Sequence, residues 1–211
     1  MVEPGRFIVV EGLEGAGKST ALTTIKRFLT PLVPELVTTR EPGGTRVGEA
    51  ARQLIKTKNT EEPLDARAEL LLFYAARVQL IEHVIRPALA RGAWVLADRF
   101  ELSTFAYQGG GRKIDESIIN TLSSFCVKGL KPDLTLFLDL SPEEGLARVV
   151  KRGKTDRIED ETMLFFDAVY DSYHQHLAMM DNVIMIDATK PFGTVQNIIR
   201  RSLEQYMAIH A

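Results

Sequence analysis

Residues 7–19 read Phe-Ile-Val-Val-Glu-Gly-Leu-Glu-Gly-Ala-Gly-Lys-Ser, an apolar run followed by a glycine-rich one. The first part, Phe7–Glu11, is short and rich in β-branched residues, which is typical of a buried strand. The second part, Gly12–Ser19, fits the pattern G-x-x-x-x-G-K-[ST] and leads into a helix predicted over residues 18–30. Glycines in such a loop let backbone N–H groups surround phosphate oxygens, and the helix N-terminus favours negative charge. The segment therefore predicts a strand–loop–helix unit that binds a nucleoside triphosphate.

Strand-like and helical segments alternate along the rest of the chain. Four more apolar runs are predicted to be buried strands, at residues 36–39, 94–97, 134–138 and 183–186. Further helices are predicted over residues 65–90, 114–127, 141–152, 160–180 and 193–207. Uniformly apolar strands indicate a parallel sheet covered by helices on both faces. We expect a single α/β domain over residues 1–211, with a P-loop NTPase fold and a five-stranded, mostly parallel sheet flanked by helices.

Local signals predict how some of these segments begin and end. Ser141 is a good N-cap, Pro142 suits the first helical position, and Glu144 completes a capping box. Gly153 should end that helix, and Pro87 should end or kink the long helix. The stretch Gln108–Arg112 contains three consecutive glycines and is expected to be a flexible loop.

Composition excludes several classes of protein. Of 211 residues, 45% are hydrophobic and 26% are charged, a mix that is unlike a disordered, collagen-like or disulfide-stapled chain. The formal net charge of −2 shows no basic excess, so nucleic acid is not an expected partner. The one cysteine, Cys126, is expected to be a buried thiol. Because no signal peptide or membrane-length apolar run is recognised, we expect a cytosolic protein without a membrane partner.

The glycine-rich loop carries two side chains with defined chemistry. Lys18 is expected to reach the β- and γ-phosphates, and the Ser19 hydroxyl to ligate Mg²⁺. A carboxylate at the end of a second strand should join the metal site, and Asp98 and Asp139 are the candidates. Asp98 is favoured because Arg99 follows it directly, whereas Asp139 precedes a helix cap.

A basic segment lies further along the chain. Residues 148–157 carry five cations and one acid. Such a charge run is usually a solvated face. In a phosphoryl-transfer protein, however, arginines on a mobile segment can neutralise charge on the transferred group. Since Gly153 supplies a hinge, we interpret residues 148–160 as a closing lid.

Another set of residues suggests a site for a second nucleotide. Phe73 and Arg77 lie four apart on a predicted helix, so a ring and a guanidinium project from one face and can stack on a base and bond its edge. A core phenylalanine beside a surface arginine is the alternative. The loop Arg40–Gly44 follows the second strand at its carboxyl end, where α/β sheets bind ligands. Three polar residues ahead of the glycine run complete the set: Ser103, Tyr107 and Gln108.

The chain resembles bacterial thymidylate kinases over essentially its whole length. The resemblance is carried by Glu11–Ser19, Thr39–Thr45, Phe73–Leu80, Asp98-Arg99, Ala106–Gly111, Pro132-Asp133 and Asp156–Glu159. The glycine-rich loop is shared by very many proteins, but the Phe-Tyr-x-x-x-Arg and Asp-Arg elements joined to Tyr-Gln-Gly-Gly are much more specific. The resemblance implies a nucleoside monophosphate kinase type of fold, transfer of the ATP γ-phosphate to dTMP with Mg²⁺, and a homodimer.

Carried over residue by residue, the resemblance implies roles on the acceptor side. Phe73 would stack on thymine, and Arg77 would bond its carbonyl edge. Arg99 would hold the dTMP phosphate, and Tyr107 would crowd the ribose 2′ position. The other implied dTMP contacts are Glu14, to the 3′-hydroxyl, and Arg40, Pro42, Ser103 and Gln108.

On the donor side, the resemblance implies an ATP site made by the loop and the lid. Its contacts would be Gly12, Leu13, Glu14, Gly15, Ala16, Gly17, Lys18, Ser19, Thr20 and Arg148. Lys18, Arg99 and Arg152 are the expected catalytic cations, and Ser19 and Asp98 the expected metal ligands. Some relatives carry an arginine in the loop after the carboxylate. Here Gly15 follows Glu14, so Arg152 of the lid is assigned to the γ-phosphate, while Arg148 and Arg157 are assigned to adenine stacking, other phosphates or lid structure.

Two alternatives stay open at this point. One is another nucleoside monophosphate kinase, or a nucleoside kinase, on the same fold. The other is a P-loop NTPase that switches or moves a partner, although the regulatory GTPase signatures D-x-x-G and N-K-x-D are absent. His174 and His176 are expected at the surface, and Glu159–Glu161 as a solvated helix start.

Overall fold

A computed structural model describes residues 5–58, 61–153 and 155–210. Five strands form one sheet in the order β2-β3-β1-β4-β5, and every neighbouring pair is parallel. The strands are β1 (Phe7–Glu11), β2 (Leu36–Arg40), β3 (Trp94–Asp98), β4 (Leu134–Asp139) and β5 (Val183–Asp187). All five predicted strands are confirmed, and the last four each extend one residue further. The added residues are polar, so pairing continues to the carboxyl edge after the apolar signal has ended. The prediction that all five are buried is wrong for β2 and β5, which lie at the two edges of the sheet and are mostly half-buried or exposed.

Helices surround this sheet. They are α1 (Lys18–Leu29), α2 (Arg46–Lys56), α3 (Ala66–Leu80), α4 (Arg86–Ala90), α5 (Glu101–Thr104), α6 (Glu116–Cys126), α7 (Pro142–Arg152), α8 (Met163–Leu177) and α9 (Phe192–His210). A π-helical segment, Ile81–Ile85, joins α3 to α4, and another, Phe105–Gly111, continues α5. None of the helices among the described residues is both long and apolar enough to cross a membrane.

Strand β1 separates two apolar layers, because successive side chains of a strand point to opposite faces. Ile8 and Val10 pack in a cluster with side chains of α1 and α9. Phe7 and Val9 pack in a second cluster with side chains of α3 and α4. This burial on both faces fixes β1 in the middle of the sheet and places its carboxyl end, with the glycine-rich loop, at one edge.

The ends of α7 are confirmed as predicted. The Ser141 side chain accepts a hydrogen bond from the backbone N–H of Glu144, and Pro142 occupies the first helical position. Gly153 ends the helix with φ 86°, in the left-handed region that favours glycine. Cys126 is also confirmed as a buried free thiol, and burial raises its pKa.

The prediction of a flexible loop over Gln108–Arg112 is wrong. Most of this stretch belongs to the π-helical segment that packs against α8. A Cβ on Gly110 would lie 2.5 Å from the Cβ of Ser172 and 2.7 Å from the carbonyl oxygen of Ala168. The glycines allow two backbones to approach closely, and they therefore serve packing, not flexibility.

The helices differ from the prediction in three further places. Helix α2 was not predicted, because two of its buried positions are the small residues Gly48 and Ala51, which give little apolar periodicity. The long helix predicted over 65–90 contains the wider π turn just before Pro87, whose missing N–H cannot bond in a regular helix. Helix α8 begins only at Met163, so Glu159–Glu161 lie in the turns before it.

The two histidines are not simple surface residues. The side chain of His174 is 35% exposed and its Nε2 lies 3.2 Å from Oδ1 of Asp139. The side chain of His176 is 14% exposed, and its ring packs on Phe105 with centroids 5.0 Å apart. Sequence spacing within α8 could not reveal these partners, which come from β4 and the π-helical segment.

Replacing Gly110 by alanine tests the packing role of the glycine run. Because the added methyl would meet backbone and Cβ atoms of α8, Gly110→Ala should lower the free energy of unfolding by about 1–3 kcal/mol. Gly193→Ala is the matched control, since a Cβ there meets nothing within 4 Å. Its stability should be unchanged or raised by up to about 1 kcal/mol through helix propensity. Equal denaturation midpoints for Gly110→Ala and the unmodified chain would contradict this account.

Candidate active site

The glycine-rich loop joins β1 to α1 at the carboxyl edge of the sheet. Gly12, Gly15 and Gly17 have φ values of 142°, 77° and 93°, which side chains disfavour. Gly17 is the N-cap of α1, and that helix has no side-chain cap and no acidic residue in its first turn. No side chain of α1 therefore competes with an anion for its first N–H groups.

The loop has no room for a side chain after Glu14. A Cβ on Gly15 would collide with the carbonyl oxygen of Gly145, in α7, and a Cβ on Gly145 would lie 2.5 Å from the carbonyl oxygen of Glu14. The loop thus packs directly on the backbone of α7. A cation beside Glu14 must come from another element, and α7 itself carries the first residues of the predicted lid, 148–152.

Lys18 folds back over the loop. Its Nζ donates to the carbonyl oxygens of Gly12 at 3.0 Å and Leu13 at 2.8 Å. Burial and the nearby charge of Arg99 lower the pKa of the ammonium group to about 8, although Glu14 acts in the opposite direction. An anion bound in the loop would favour the charged form of this lysine.

A cleft of about 400 Å³ opens above the loop. It brings together most of the residues predicted for the site: Glu14, Gly15, Gly17, Lys18, Ser19, Arg40, Pro42, Phe73, Asp98, Arg99, Ser103, Tyr107, Gln108, Arg148 and Arg152. The predicted residues that do not line it are Gly12, Leu13, Ala16, Thr20 and Arg77. Leu13 and Ala16 are instead buried in the apolar core. Residues predicted for the donor and acceptor nucleotides therefore share one connected space.

Arg99 lies at the centre of the polar network in this cleft. Its Nη2 donates to Oε1 of Glu14 at 2.7 Å and to the Tyr107 hydroxyl at 3.1 Å. Its Nη1 donates to Oγ of Ser103 at 3.1 Å and to the hydroxyl of Tyr173 at 3.0 Å. The backbone of Arg99 has φ 68°, a conformation that costs a non-glycine residue about 1–2 kcal/mol. The four side-chain contacts hold the guanidinium in place despite this cost.

A buried carboxylate supports the same network from behind. Glu11 accepts the N–H of Phe100 at 2.8 Å through Oε1, and the hydroxyls of Ser103 at 2.7 Å and Tyr173 at 2.9 Å through Oε2. Burial raises the pKa of Glu11, against the opposing charge of Arg99 and these hydrogen bonds. Sequence reasoning gave Glu11 no role in the site and missed Tyr173. No local signal could have found Tyr173, which is 162 positions away.

The two candidate metal carboxylates differ in their surroundings. Oδ1 of Asp139 already has partners, the Tyr170 hydroxyl at 3.0 Å and Nε2 of His174 at 3.2 Å. Oδ1 of Asp98 is buried without a hydrogen-bond partner among the described residues. Asp98 also lines the cleft together with Ser19. A carboxylate oxygen and a hydroxyl fit Mg²⁺, which takes few protein ligands when phosphates supply the others.

Arg77 is buried, not at the surface as the alternative reading had it. It is 1% exposed, and its Nε and Nη2 donate to Oε2 of Glu41 at 2.9 and 2.6 Å. Nη2 also donates to Oγ1 of Thr104 at 2.8 Å, whereas Nη1 is buried without a partner among the described residues. Phe73 lines the cleft but Arg77 does not. Glu41 therefore holds the guanidinium so that one donor remains for a further acceptor.

The arginines of the predicted lid, 148–160, have partners both inside and outside that segment. Arg152 is 58% exposed and pairs with Glu159. Arg148 donates to the carbonyl oxygens of Gly15 at 3.4 Å and Ala188 at 3.1 Å. Within the predicted lid 148–160, Lys154 lies outside the described residues. The predicted lid therefore contacts the glycine-rich loop through Arg148, the residue after β5 through the same side chain, and its own acidic turn through Arg152.

Sequence reasoning missed two cations of the cleft, both on α2. Arg52 lines the cleft and donates to the carbonyl oxygen of Pro42 at 2.9 Å. Lys56 lines it too and pairs with Asp156 of the lid. They were missed because α2 itself was not predicted.

Comparisons with known proteins agree over nearly the whole chain. A family model described as thymidylate kinase matches residues 10–199. Thymidylate kinase from Legionella pneumophila (strain Corby) is 55% identical over 203 residues, and that from strain Paris is 54% identical over 203 residues, each alignment covering 96% of both chains. Thymidylate kinase from Colwellia psychrerythraea (strain 34H / ATCC BAA-681) is 46% identical over 199 residues, or 94% of both chains. Since these matches run from the first strand to the last helix, the chain belongs to the thymidylate kinase family.

Proposed function

We propose that this chain transfers the γ-phosphate of ATP to dTMP, giving ADP and dTDP for the synthesis of DNA precursors, on a fold of the nucleoside monophosphate kinase type. The observation that carries the proposal is the position of Arg99. It lies in the same cleft as the glycine-rich loop and as Phe73, which supports a place for Arg99 between the two nucleotides. Family membership supports the same reaction.

The proposed ATP site is the loop Gly12–Thr20 with Arg148. Four of these residues do not line the cleft: Gly12, Leu13, Ala16 and Thr20. They would contact the ATP phosphates through backbone N–H groups. Lys18 would attract the β- and γ-phosphates from within the loop. Arg148 spans from the loop to the residue after β5, which supports a wall for the donor nucleotide.

The proposed dTMP site is the other half of the cleft. Phe73 would stack on thymine, and the unpartnered Nη1 of Arg77 would donate to a thymine carbonyl. Arg99 would bind the dTMP phosphate, and Tyr107, bonded to both Glu14 and Arg99, would lie against the sugar. The remaining proposed contacts are Glu14, Arg40, Pro42, Ser103 and Gln108.

In this mechanism the protein positions two anions and neutralises their charge, with little covalent chemistry of its own. Lys18, Arg99 and Arg152 would face the charge on the transferred phosphoryl group from the loop, the acceptor side and the lid. Mg²⁺ held by Ser19 and Asp98 would supply further neutralisation of the β- and γ-phosphate oxygens. No side chain is required as a nucleophile, so no phosphoenzyme is expected.

Organisation beyond the site is also part of the proposal. Residues 1–211 would form a single kinase domain with a lid at 148–160, in the cytosol. The resemblance implies a homodimer. Helices α3 and α6 pack together, and three of their large apolar side chains are exposed: Leu71, Ile118 and Phe125. These exposed side chains support a dimer face on the two helices.

Measuring ADP release from Mg-ATP with different acceptors tests the function directly. The panel contains dTMP, dUMP, TMP, dCMP, dGMP, AMP and no acceptor, and we expect a strong preference for dTMP. Preference for another monophosphate would still indicate a nucleoside monophosphate kinase but would overturn the proposed thymine site. Equal ADP release with every acceptor and with none would indicate a plain NTPase and overturn the acceptor site altogether.

The variant Phe73→Ala tests base stacking. It should raise KM for dTMP with little effect on KM for ATP, because a stacked base contributes about 1–3 kcal/mol. Phe192→Ala is the control, since Phe192 lies on α9 and is 71% exposed. A purely structural Phe73 would show as lower stability with unchanged kinetic constants.

Arg152→Ala tests the lid cation. If Arg152 acts mainly on the transition state, kcat should fall on the order of 10³-fold. Arg91→Ala removes an exposed arginine that pairs with Glu35 and does not line the cleft, so its kcat should not change. Nearly intact turnover in Arg152→Ala would contradict the assignment.

The lowered pKa of Lys18 predicts a pH dependence for ATP. The ammonium group loses its proton as the pH rises through about 8, so kcat/KM for ATP should fall above that pH in the free enzyme. At saturating ATP the fall should move to higher pH, because bound phosphates favour the charged lysine. Circular dichroism over the same range serves as the control for unfolding. A kcat/KM that stays constant up to about pH 9.5 would contradict this role.

A further inference from the structure

Glu69 lies in the first turn of α3 and is bound from distant parts of the chain. It is 1% exposed and does not line the cleft. Its carboxylate accepts hydrogen bonds from Nε2 of Gln108 at 2.7 Å, from Nη2 of Arg112 at 3.2 Å and from Nη2 of Arg157. These donors belong to the π-helical segment, its cap and the lid. One buried carboxylate thus connects an acceptor-side element to the lid.

The charges around Glu69 keep it ionised. Burial acts to raise its pKa, but Arg112, Arg157 and the amide of Gln108 outweigh burial, and the pKa is lowered. Arg112 also pairs with Glu161 at 2.6 Å, so two carboxylates face two guanidinium groups. An ionised carboxylate can only accept hydrogen bonds, which fixes the amide nitrogen of Gln108 towards it.

On the lid side, further contacts lead from Arg157 to Arg152. Nε of Arg157 donates to the carbonyl oxygen of Ile55 at 2.8 Å, which ties the lid to α2. The preceding residue, Asp156, accepts the backbone N–H of Glu159 at 3.1 Å through Oδ1. Glu159 in turn pairs with Arg152. A path therefore runs from Gln108 to Arg152 through polar contacts and one backbone link, that between Arg157 and Asp156.

We propose that Glu69 is a positioning residue that couples the acceptor side of the cleft to the lid. By binding Gln108 and Arg157 together, it holds the amide that lines the cleft and the lid segment that carries Arg152 in one arrangement. The inference rests on the proposed function, since it assigns the two sides of the cleft to dTMP and to the transferred phosphate. Loss of the negative charge should disturb both sides although Glu69 touches neither nucleotide.

Glu69→Gln removes the charge while keeping the size of the side chain. We expect kcat to fall and KM for dTMP to rise, each by about five- to tenfold, which is the lower end of typical coupling between sites. KM for ATP should stay within about twofold, because the glycine-rich loop is not part of the network. Glu69→Asp keeps the charge and should recover part of kcat. Glu35→Gln is the control, since Glu35 pairs with Arg91 at the surface.

Arg157→Gln gives the decisive comparison, because Arg157 is a lid residue that does not line the cleft. This variant should raise KM for dTMP in the unmodified background but have little further effect when combined with Glu69→Gln. Unchanged KM for dTMP in Arg157→Gln, or two effects that multiply in the double variant, would overturn the coupling. So would a Glu69→Gln protein with a lower Tm but unchanged kcat and KM. If Glu69→Gln does not fold, Arg157→Gln alone decides.

The failure of this inference can be told apart from the failure of the proposed function. The acceptor panel with the unmodified chain decides whether dTMP is the substrate. The variants are compared with the unmodified chain on whichever acceptor that panel selects. The chain could prefer another monophosphate while the effects of Glu69→Gln and Arg157→Gln still fail to multiply in the double variant. That result would overturn dTMP as the substrate and retain the coupling through Glu69.

Discussion

The ion pair between Arg99 and Glu14 joins the end of β3 to the glycine-rich loop after β1, and the arrangement of the cleft depends on it. Parallel strands bring their carboxyl ends together, so two cations that follow different strands, Lys18 and Arg99, lie in one small space. Lys18 and Arg99 repel each other there, and the lowered pKa of Lys18 reflects this together with burial. Glu14 lies beside both cations and offsets the repulsion between them.

The same principle recurs away from the loop. A buried cation is stable only when a carboxylate faces it, since an unpaired buried charge is very costly. Glu41 faces Arg77, and Glu69 faces the guanidinium of Arg157. Each carboxylate also fixes the direction in which the remaining N–H groups of its arginine point. The same ion pair therefore both neutralises a buried charge and orients a side chain. Oδ1 of Asp98 is buried without a partner among the described residues, as is Oε1 of Glu41. Oε2 of Glu41 already binds Arg77, so Asp98 has the greater capacity for a cation.

Close backbone packing is the other constraint on the site. Gly15 meets Gly145 of α7, and Gly110 meets α8 at distances that no Cβ can occupy. The first contact attaches the glycine-rich loop to the helix that leads into the lid. The second holds the π-helical segment with Tyr107 and Gln108 against the helix that carries Tyr173. Glycine here allows elements to approach one another, which a sequence reader easily mistakes for flexibility.

Local sequence patterns predict the five strands, most helices and the glycine-rich loop, because apolar runs, glycine spacing and helix caps are short-range signals. The family resemblance rests on motifs spread over the whole chain. The membership of the cleft was also largely predicted, although the roles of its residues stay proposals. Which charges face each other depends on the three-dimensional fold. Glu11 with Tyr173, Glu41 with Arg77 and Glu69 with Arg157 are far apart in the chain, and burial energy depends on three-dimensional proximity, which no local pattern encodes.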